Sequence, residues 1–270
     1  MQMQKGIIIL LLLLAIGFDT KAKKHKPLKR VLTLKADRPG GTNGASIAWD
    51  PEHQKYYAAI SGNTYFPMFV YNAEGKIVSD NMLETMFDVR GLWYNTTTRT
   101  LQANGFKNYG VAEYKMDTGY LPESVKKLPL QSKQPNDQAI GAYDPGQNAL
   151  YFYDHDSSSI TKEDSAGATT IIQLHLGVKK KKKIKDHANS EVMNEYNTNE
   201  CIYTGIPNAE IGLLNARERQ VELYNLETGL LKKAKKLPPD ATVELSLNFS
   251  YANGIYWFFD KKRREWRGFQ

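Results

Sequence analysis

The sequence predicts an all-β protein, a β-propeller of four-stranded blades, with five blades as the main expectation and six as the alternative. Three observations lead to it. A strand–turn–strand pattern followed by a polar turn recurs five times after Ser46. The aromatic residue that marks each copy returns at intervals of 44, 50, 60 and 46 residues. No segment keeps a 3.6-residue apolar period, which argues against helices. Four short strands recurring every ~40–50 residues are typical of a propeller blade.

The five copies follow one another along the chain. Each begins with two strands separated by a turn of polar residues, Pro or Gly, and these pairs lie at 46–60, 90–104, 140–154, 201–215 and 247–260. The first strand of each pair carries a marker aromatic: Trp49, Trp93, Tyr143, Tyr203 and Phe249. Third strands are expected to end near Gly75, Gly119, Gly167 and Gly229, and fourth strands to lie within 75–81, 124–130, 169–176 and 230–237.

The last copy reaches the end of the sequence without a fourth strand, whereas residues 30–36 form a strand-like segment that belongs to no copy. We therefore expect this N-terminal strand to pair into the last blade and close the ring, because closure removes exposed sheet edges. Six blades would require two degraded half-copies. The marker spacing lengthens around 178–198, which predicts a Lys-rich insertion within one propeller domain that spans 30–270.

The first residues predict export. Lys5 precedes an apolar run from Gly6 to Phe18, which is typical of a signal peptide and too short to span a bilayer. Cleavage after Gly17 and cleavage after Ala22 both fit; we assign 1–22 to the signal peptide and 23–29 to a basic tail. The mature protein is expected to be soluble, without a transmembrane anchor, and periplasmic or extracellular.

Two short runs hold more than the whole net charge. The chain has 36 Lys and Arg against 29 Asp and Glu, a net charge of +7. Residues 23–30 carry five positive charges and residues 179–185 carry six, so the rest of the mature chain is mildly acidic. Nucleic-acid binding needs positive charge spread over a folded face, and no nucleic-acid partner is expected. Cys201 is the only cysteine, which excludes an intramolecular disulfide.

The third copy reads YDPGQNALYFYD from Tyr143 to Asp154, followed by a polar turn that ends in Gly167. This pattern resembles the repeats of NHL, SMP-30/gluconolactonase and YVTN-type propellers. The resemblance covers about 46–270 and implies the architecture rather than an activity, since propellers host many functions. Gluconolactonase-like propellers hold a divalent ion with Glu, Asn and Asp side chains of their inner strands, although the full ligand set of that family has no assignable counterpart here.

A ligand site is expected where loops lead into the innermost strands, together with the loops between second and third strands, around the mouth of the central channel. Four carboxylates fall at matching points of successive copies and are the catalytic candidates: Asp88, Asp137, Glu200 and Glu244. Oxygen ligands of this kind suit Ca²⁺, the one candidate cofactor, with the ligands Asp88, Asp137, Asn199 and Glu200. The alternative is that these carboxylates bond backbone amides of neighbouring blades. The candidate ligand-binding residues are Asn43, Tyr65, Arg90, Tyr109, Asn136, His155 and Asn199.

The leading functional hypothesis is an exported monomeric binding module for a protein, a glycan or a small ligand. It rests on the repeat, the signal peptide and the absence of nucleophile-elbow and His-Glu-x-x-His motifs from the sequence. The alternative is a hydrolase. A lactonase would use a metal ion to activate water, and a glycosidase would use a pair of carboxylates as acid and base.

Overall fold

The computed structural model of the chain describes residues 26–62, 66–79, 83–107, 109–129, 133–177 and 195–270. Within these ranges the chain forms twenty strands in five four-stranded antiparallel sheets and no helix. The predicted five-bladed β-propeller is therefore confirmed. No helix in the described ranges is long and apolar enough to cross a membrane. The predicted signal peptide, Tyr65 and most of the predicted insertion (178–194) lie outside these ranges.

In blades 1 to 4 the strands follow one another in chain order from the innermost strand outward. Blade 1 consists of β2 (Asn43–Asp50), β3 (Lys55–Ser61), β4 (Pro67–Asn72) and β5 (Leu83–Glu84). Blade 2 consists of β6 (Val89–Asn95), β7 (Thr100–Gly105), β8 (Val111–Met116) and β9 (Pro122–Lys127). Blade 3 consists of β10 (Ala142–Asp144), β11 (Ala149–Asp154), β12 (Ser159–Glu163) and β13 (Thr169–Gln173). Blade 4 consists of β14 (Ile202–Tyr203), β15 (Ile211–Asn215), β16 (Gln220–Tyr224) and β17 (Leu231–Lys236).

Blade 5 joins the two ends of the described chain. It consists of β18 (Phe249–Ala252), β19 (Ile255–Asp260), β20 (Glu265–Phe269) and, on its outer side, β1 (Arg30–Lys35). Strand β1 runs antiparallel to β20, with Leu34 opposite Trp266. The predicted closure of the ring by an N-terminal strand is confirmed. One prediction about strand position was wrong: in blade 1, residue Ile77 makes only an isolated bridge to Tyr71, and β5 takes the fourth place.

One type of turn recurs in six hairpins of the described chain. It explains why an Asp or Asn stands at the end of the strand before each of these turns. A four-residue turn follows an Asp or Asn whose side-chain oxygen accepts a hydrogen bond from an amide two or three residues ahead, as in an Asx turn. These residues are Asp50, Asn95, Asp144, Asp154, Asn215 and Asp260. The last residue of each turn has a positive φ between 48° and 59°: Gln54, Arg99, Asn148, Ser158, Arg219 and Arg264.

The apolar core lies between the blades. In the described chain it divides into five clusters, each built from side chains of two neighbouring blades. Between blades 5 and 1, for example, Leu34, Trp257 and Trp266 are fully buried against Ile47 and Phe69. Because each cluster belongs to two blades, no blade can bury its faces alone. This stacking holds the five innermost strands around a common axis.

Candidate functional site

Five aromatic side chains surround the axis, one from each blade. Each stands at the last or next-to-last position of its innermost strand: Trp49, Tyr94, Tyr143, Tyr203 and Tyr251. The repeat markers of blades 2 and 5, Trp93 and Phe249, lie one and two positions earlier in their strands and are also among the residues that line the cavity. The hairpin register shows that Tyr94 rather than Trp93 is the counterpart of Trp49, because Asn95 pairs with Thr100 at the turn just as Asp50 pairs with Lys55. Neighbouring residues of a strand point to opposite faces.

These aromatic residues belong to a cavity of about 320 Å³ at the end of the axis where the innermost strands turn into the second strands. We call this end the hairpin end, and the cavity the axial pocket. All five innermost strands contribute to its lining, and deeper residues include Ser46, Leu92, Cys201 and Ser250. Among the described residues that line it, none is Asp, Glu, Lys, Arg or His. The axial pocket is therefore aromatic and uncharged.

The rings of the axial pocket are braced by a second layer of rings. Tyr203 lies parallel to Tyr151 with centroids 5.6 Å apart, and Tyr143 stacks on Trp93 at 6.2 Å. These two contacts join neighbouring blades. In blades 1 and 5 the contact is with the next strand of the same blade, where Trp49 lies 4.4 Å from Tyr56 and Tyr251 lies 4.9 Å from Tyr256, measured between ring centroids. Held in this way, the rings lose little further conformational freedom when a ligand binds.

Hydrogen bonds between blades form the floor of the axial pocket. The hydroxyl oxygens of Ser46 and Ser250 lie 3.3 Å apart, and the Ile47 amide donates to the Ser250 hydroxyl at 3.1 Å. The Cys201 thiol donates to the Tyr151 carbonyl at 3.5 Å. Burial raises the pKa of this thiol to about 12, so it stays protonated near neutral pH and is no nucleophile there.

Several of the residues predicted from the sequence lie at the opposite end of the axis, which we call the lead-in end, and they bond to one another. Arg90 is buried and forms a bidentate ion pair with Asp88, at 2.5 and 3.0 Å. Its Nε donates to the Gln138 side chain at 2.7 Å, and its guanidinium lies 4.6 Å from the centroid of the Phe106 ring. The Asp88–Arg90 pair therefore links the start of blade 2 to the loop that leads into blade 3.

The carboxylate of Glu200 bridges blades 4 and 5. It is fully buried, and it accepts hydrogen bonds from the Phe249 amide and the Asn197 side chain, both at 3.0 Å. Burial raises the pKa of Glu200 well above its ordinary value of 4.5, because desolvation outweighs these two hydrogen bonds. This arrangement corresponds to the alternative considered above, an inner-strand carboxylate that binds a neighbouring blade's backbone.

The remaining lead-in residues have separate surroundings. Asn199 donates to the Ser246 hydroxyl at 2.6 Å, and Glu244 forms an ion pair with Lys261 at 3.4 Å. Asp137 is exposed. The side-chain oxygen of Asn136 accepts a hydrogen bond from the Gln138 amide at 2.9 Å. In the described ranges no group of three or more His, Cys, Asp or Glu side chains is arranged to hold a metal ion. The four predicted Ca²⁺ ligands are thus not brought together into a site that fits the ion.

The other predicted ligand-binding residues are distributed over different blades. Asn43 begins β2 opposite Ser61. Tyr109 stacks on Phe87 with centroids 4.3 Å apart. His155 lies in the turn between β11 and β12, with its Nδ1 3.6 Å from the Asp156 carboxylate. Tyr65 lies outside the described residues.

Comparisons with known proteins identify no family. No protein-family model matches the chain, and no curated protein matches it. Solved structures do align: a structural genomics protein of unknown function from Bacteroides thetaiotaomicron (15% identity, TM-score 0.47), a streptogramin B lyase (13%, 0.42) and a nidogen/laminin complex (10%, 0.42). The alignments cover 86%, 86% and 72% of this chain and only 60%, 66% and 63% of those chains.

These likenesses are too distant to transfer a ligand or a reaction. The strand pairing itself establishes the architecture, with five antiparallel four-stranded sheets and a ring closed by β1. The protein is a five-bladed β-propeller whose function has to be inferred from its own residues.

Proposed function

We propose that the protein is an exported, monomeric binding module and that the axial pocket receives its ligand. The observation that supports this most is the set of aromatic residues, at least one from each blade, around an uncharged cavity on the axis. Cavities of this kind, mostly apolar and formed where several elements converge, are the usual small-ligand sites of proteins. The proposal keeps the predicted class of function but moves the site from the lead-in end to the hairpin end.

The lining favours a neutral ligand that presents a flat or ring-shaped face. Aromatic faces carry negative quadrupole charge, and no Lys, Arg or His of the described chain lines the axial pocket to offset it for an anion. A cavity of about 320 Å³ is at the small end of ligand sites, so it suits one sugar ring or one apolar side chain of a larger partner. A glycan or a peptide would place one unit there and run across the blade surface.

Hydrolysis finds less support at this site. A glycosidase of the usual kind needs two carboxyl groups flanking the scissile bond, and none belongs to the described lining of the axial pocket. The export part of the proposal rests on the signal-peptide pattern of residues 1–22. The mass of the mature protein recovered from a secreting host would establish the cleavage point.

The experiment is a binding screen of the mature protein by ligand-detected NMR, with panels of neutral mono- and oligosaccharides and short aromatic peptides. Tyr203→Ala and Tyr251→Ala each remove one ring of the axial pocket, and both should weaken every hit at least tenfold. Tyr109→Ala, which removes a ring near the lead-in end, is the matched control and should leave the hits unchanged. Thermal melting of each variant shows that it is folded.

Two results would overturn this proposal. One is the reverse pattern, in which hits survive both changes at the hairpin end and disappear in Tyr109→Ala. The other is turnover on lactone or glycoside panels that Asp88→Asn or Asp137→Asn abolishes, which would make the protein a hydrolase that works at the lead-in end.

A further inference from the structure

A second cavity lies between blades 2 and 3, away from the axis. Its volume is about 240 Å³, and Trp93, Val111, Leu128 and Leu150 form its apolar wall. Pro129 and Ser165, which are exposed, also belong to the lining, so the cavity reaches the protein surface. We call it the interblade cavity.

The side chain of Glu163 supplies a buried carboxyl group to the interblade cavity. The residue is only 1% exposed, and its Oε1 has no hydrogen-bond partner among the described residues. Its Oε2 accepts one bond, from the Lys133 amide at 2.8 Å. The Lys133 ammonium donates to the Gly167 carbonyl rather than to the carboxylate, although its charge partly offsets the effect of burial. Desolvation raises the pKa of Glu163 in spite of the amide bond.

Another buried carboxylate of this protein has hydrogen-bond donors for both of its oxygens. Glu222, 3% exposed, accepts hydrogen bonds from four side chains: Tyr196, Asn215, Gln220 and Tyr224. A buried acceptor left without a partner costs about 1–3 kcal/mol, and more when it is charged. Within the described residues no donor reaches Glu163 Oε1, and a ligand that brings a donor would satisfy it.

We propose that the interblade cavity binds a primary ammonium group carried on a short aliphatic chain. The ammonium would donate to Glu163 Oε1 and neutralise the carboxylate, and the aliphatic chain would pack against Leu128 and Leu150. A charge-assisted hydrogen bond in a largely apolar cavity is stronger than one between neutral groups. The indole of Trp93 adds an aromatic wall, which also favours a cation.

The same chemistry can come from a free alkylamine or from a lysine side chain of a peptide. The first probe pair is n-butylammonium and n-butanol, which match in size and differ in charge. The second pair is a short peptide with one lysine and the same peptide with norleucine in its place. Binding of both charged probes indicates a site open to either source, whereas binding of the free amine alone excludes the peptide as the source.

The variant Glu163→Gln keeps the shape of the side chain and removes its charge, and Glu227→Gln is the control at an exposed carboxylate. We expect n-butylammonium to bind wild type at least tenfold more tightly than n-butanol. Glu163→Gln should remove this preference, and Glu227→Gln should keep it. Equal affinity of amine and alcohol in wild type would overturn the proposal even if Glu163→Gln failed to fold. Retention of the preference in a folded Glu163→Gln would overturn it as well.

Discussion

Neighbouring groups decide what the acidic side chains of this protein can do. Asp88 forms an ion pair with Arg90. The carboxylate of Glu200 is buried and accepts hydrogen bonds from the Asn197 side chain and the Phe249 amide. Both residues were catalytic candidates because carboxylates recur at matching points of the copies. In the structure only the Glu200 carboxylate is seen to bond the backbone of the next blade, whereas Asp88 pairs with Arg90 of its own blade. The axial pocket has aromatic rings instead.

The raised pKa of Glu200 predicts a pH dependence of stability. Because the folded protein holds this proton more tightly than the unfolded chain, stability should fall as the pH rises above 4.5, the ordinary value. Glu200→Gln resembles the protonated form and removes this effect. Compared with wild type, the variant should therefore gain in melting temperature between pH 4.5 and pH 8.

The control for this measurement is Glu227→Gln, whose melting curve should follow wild type at every pH. A constant difference in melting temperature between Glu200→Gln and wild type over the same range would show that Glu200 does not titrate differently in the folded protein.

The two glycosylation sequons of the chain, at Asn95 and Asn248, are predicted to stay unmodified. Asn95 is 5% exposed, and its Oδ1 accepts hydrogen bonds from the amides of Thr97 and Thr98. Asn248 is fully buried. Expression through a eukaryotic secretory pathway should give a protein whose mass does not change on treatment with an N-glycosidase. A mass loss that is absent from Asn95→Gln would contradict this prediction. It would mean that the glycan is attached before the hairpin after β6 has folded.

Among the strands, β1 joins the N-terminal part of the described chain to the last blade. It supplies the outer strand of blade 5, and its Leu34 side chain is fully buried beside Trp257 and Trp266. The Asx turns join the first and second strands in blades 1 to 3 and the second and third strands in blades 3 to 5. Strand β1 also offers a control position, because the Val31 side chain is 49% exposed.

Leu34→Ala should lower the free energy of unfolding by about 2–5 kcal/mol, the usual cost of removing a buried leucine side chain. Val31→Ala, on the same strand, should change it by less than about 0.5 kcal/mol, as is typical of surface positions. Chemical denaturation of both variants measures the difference. Equal, small effects would show that β1 is not the strand that closes the ring.

For the whole molecule, the repeat made five blades and their closure predictable, because glycines and polar turns recur with the copies. The position of the pocket was less predictable. Counting back from Asp50, Asn95 and Asp144 would have aligned Trp49 with Tyr94, but only the register establishes that these turns are equivalent. The surroundings of the lead-in residues depend on how side chains pair across blades, as Arg90 does with Gln138, and no local pattern encodes such pairing.

Calcium is predicted to have no effect on stability. Asp88 and Glu244 already have cationic partners, and Glu200 is bonded to amides, so a divalent ion would have to break these contacts to bind. The melting temperature should stay the same, within about 1 °C, on addition of Ca²⁺ or of a chelator, because ~1 kcal/mol of metal binding would shift it by about 2–4 °C in a domain of this size. A larger shift that Asp137→Asn abolishes would restore the predicted metal site.

The central claim is that the ligand binds at the hairpin end of the axis. It is tested most directly by a crystal structure of the mature protein with the tightest-binding probe of the screen. The account predicts the probe between Tyr203 and Tyr251, above the hydroxyl groups of Ser46 and Ser250. A probe bound instead against Asp88 and Arg90, at the lead-in end, would contradict it.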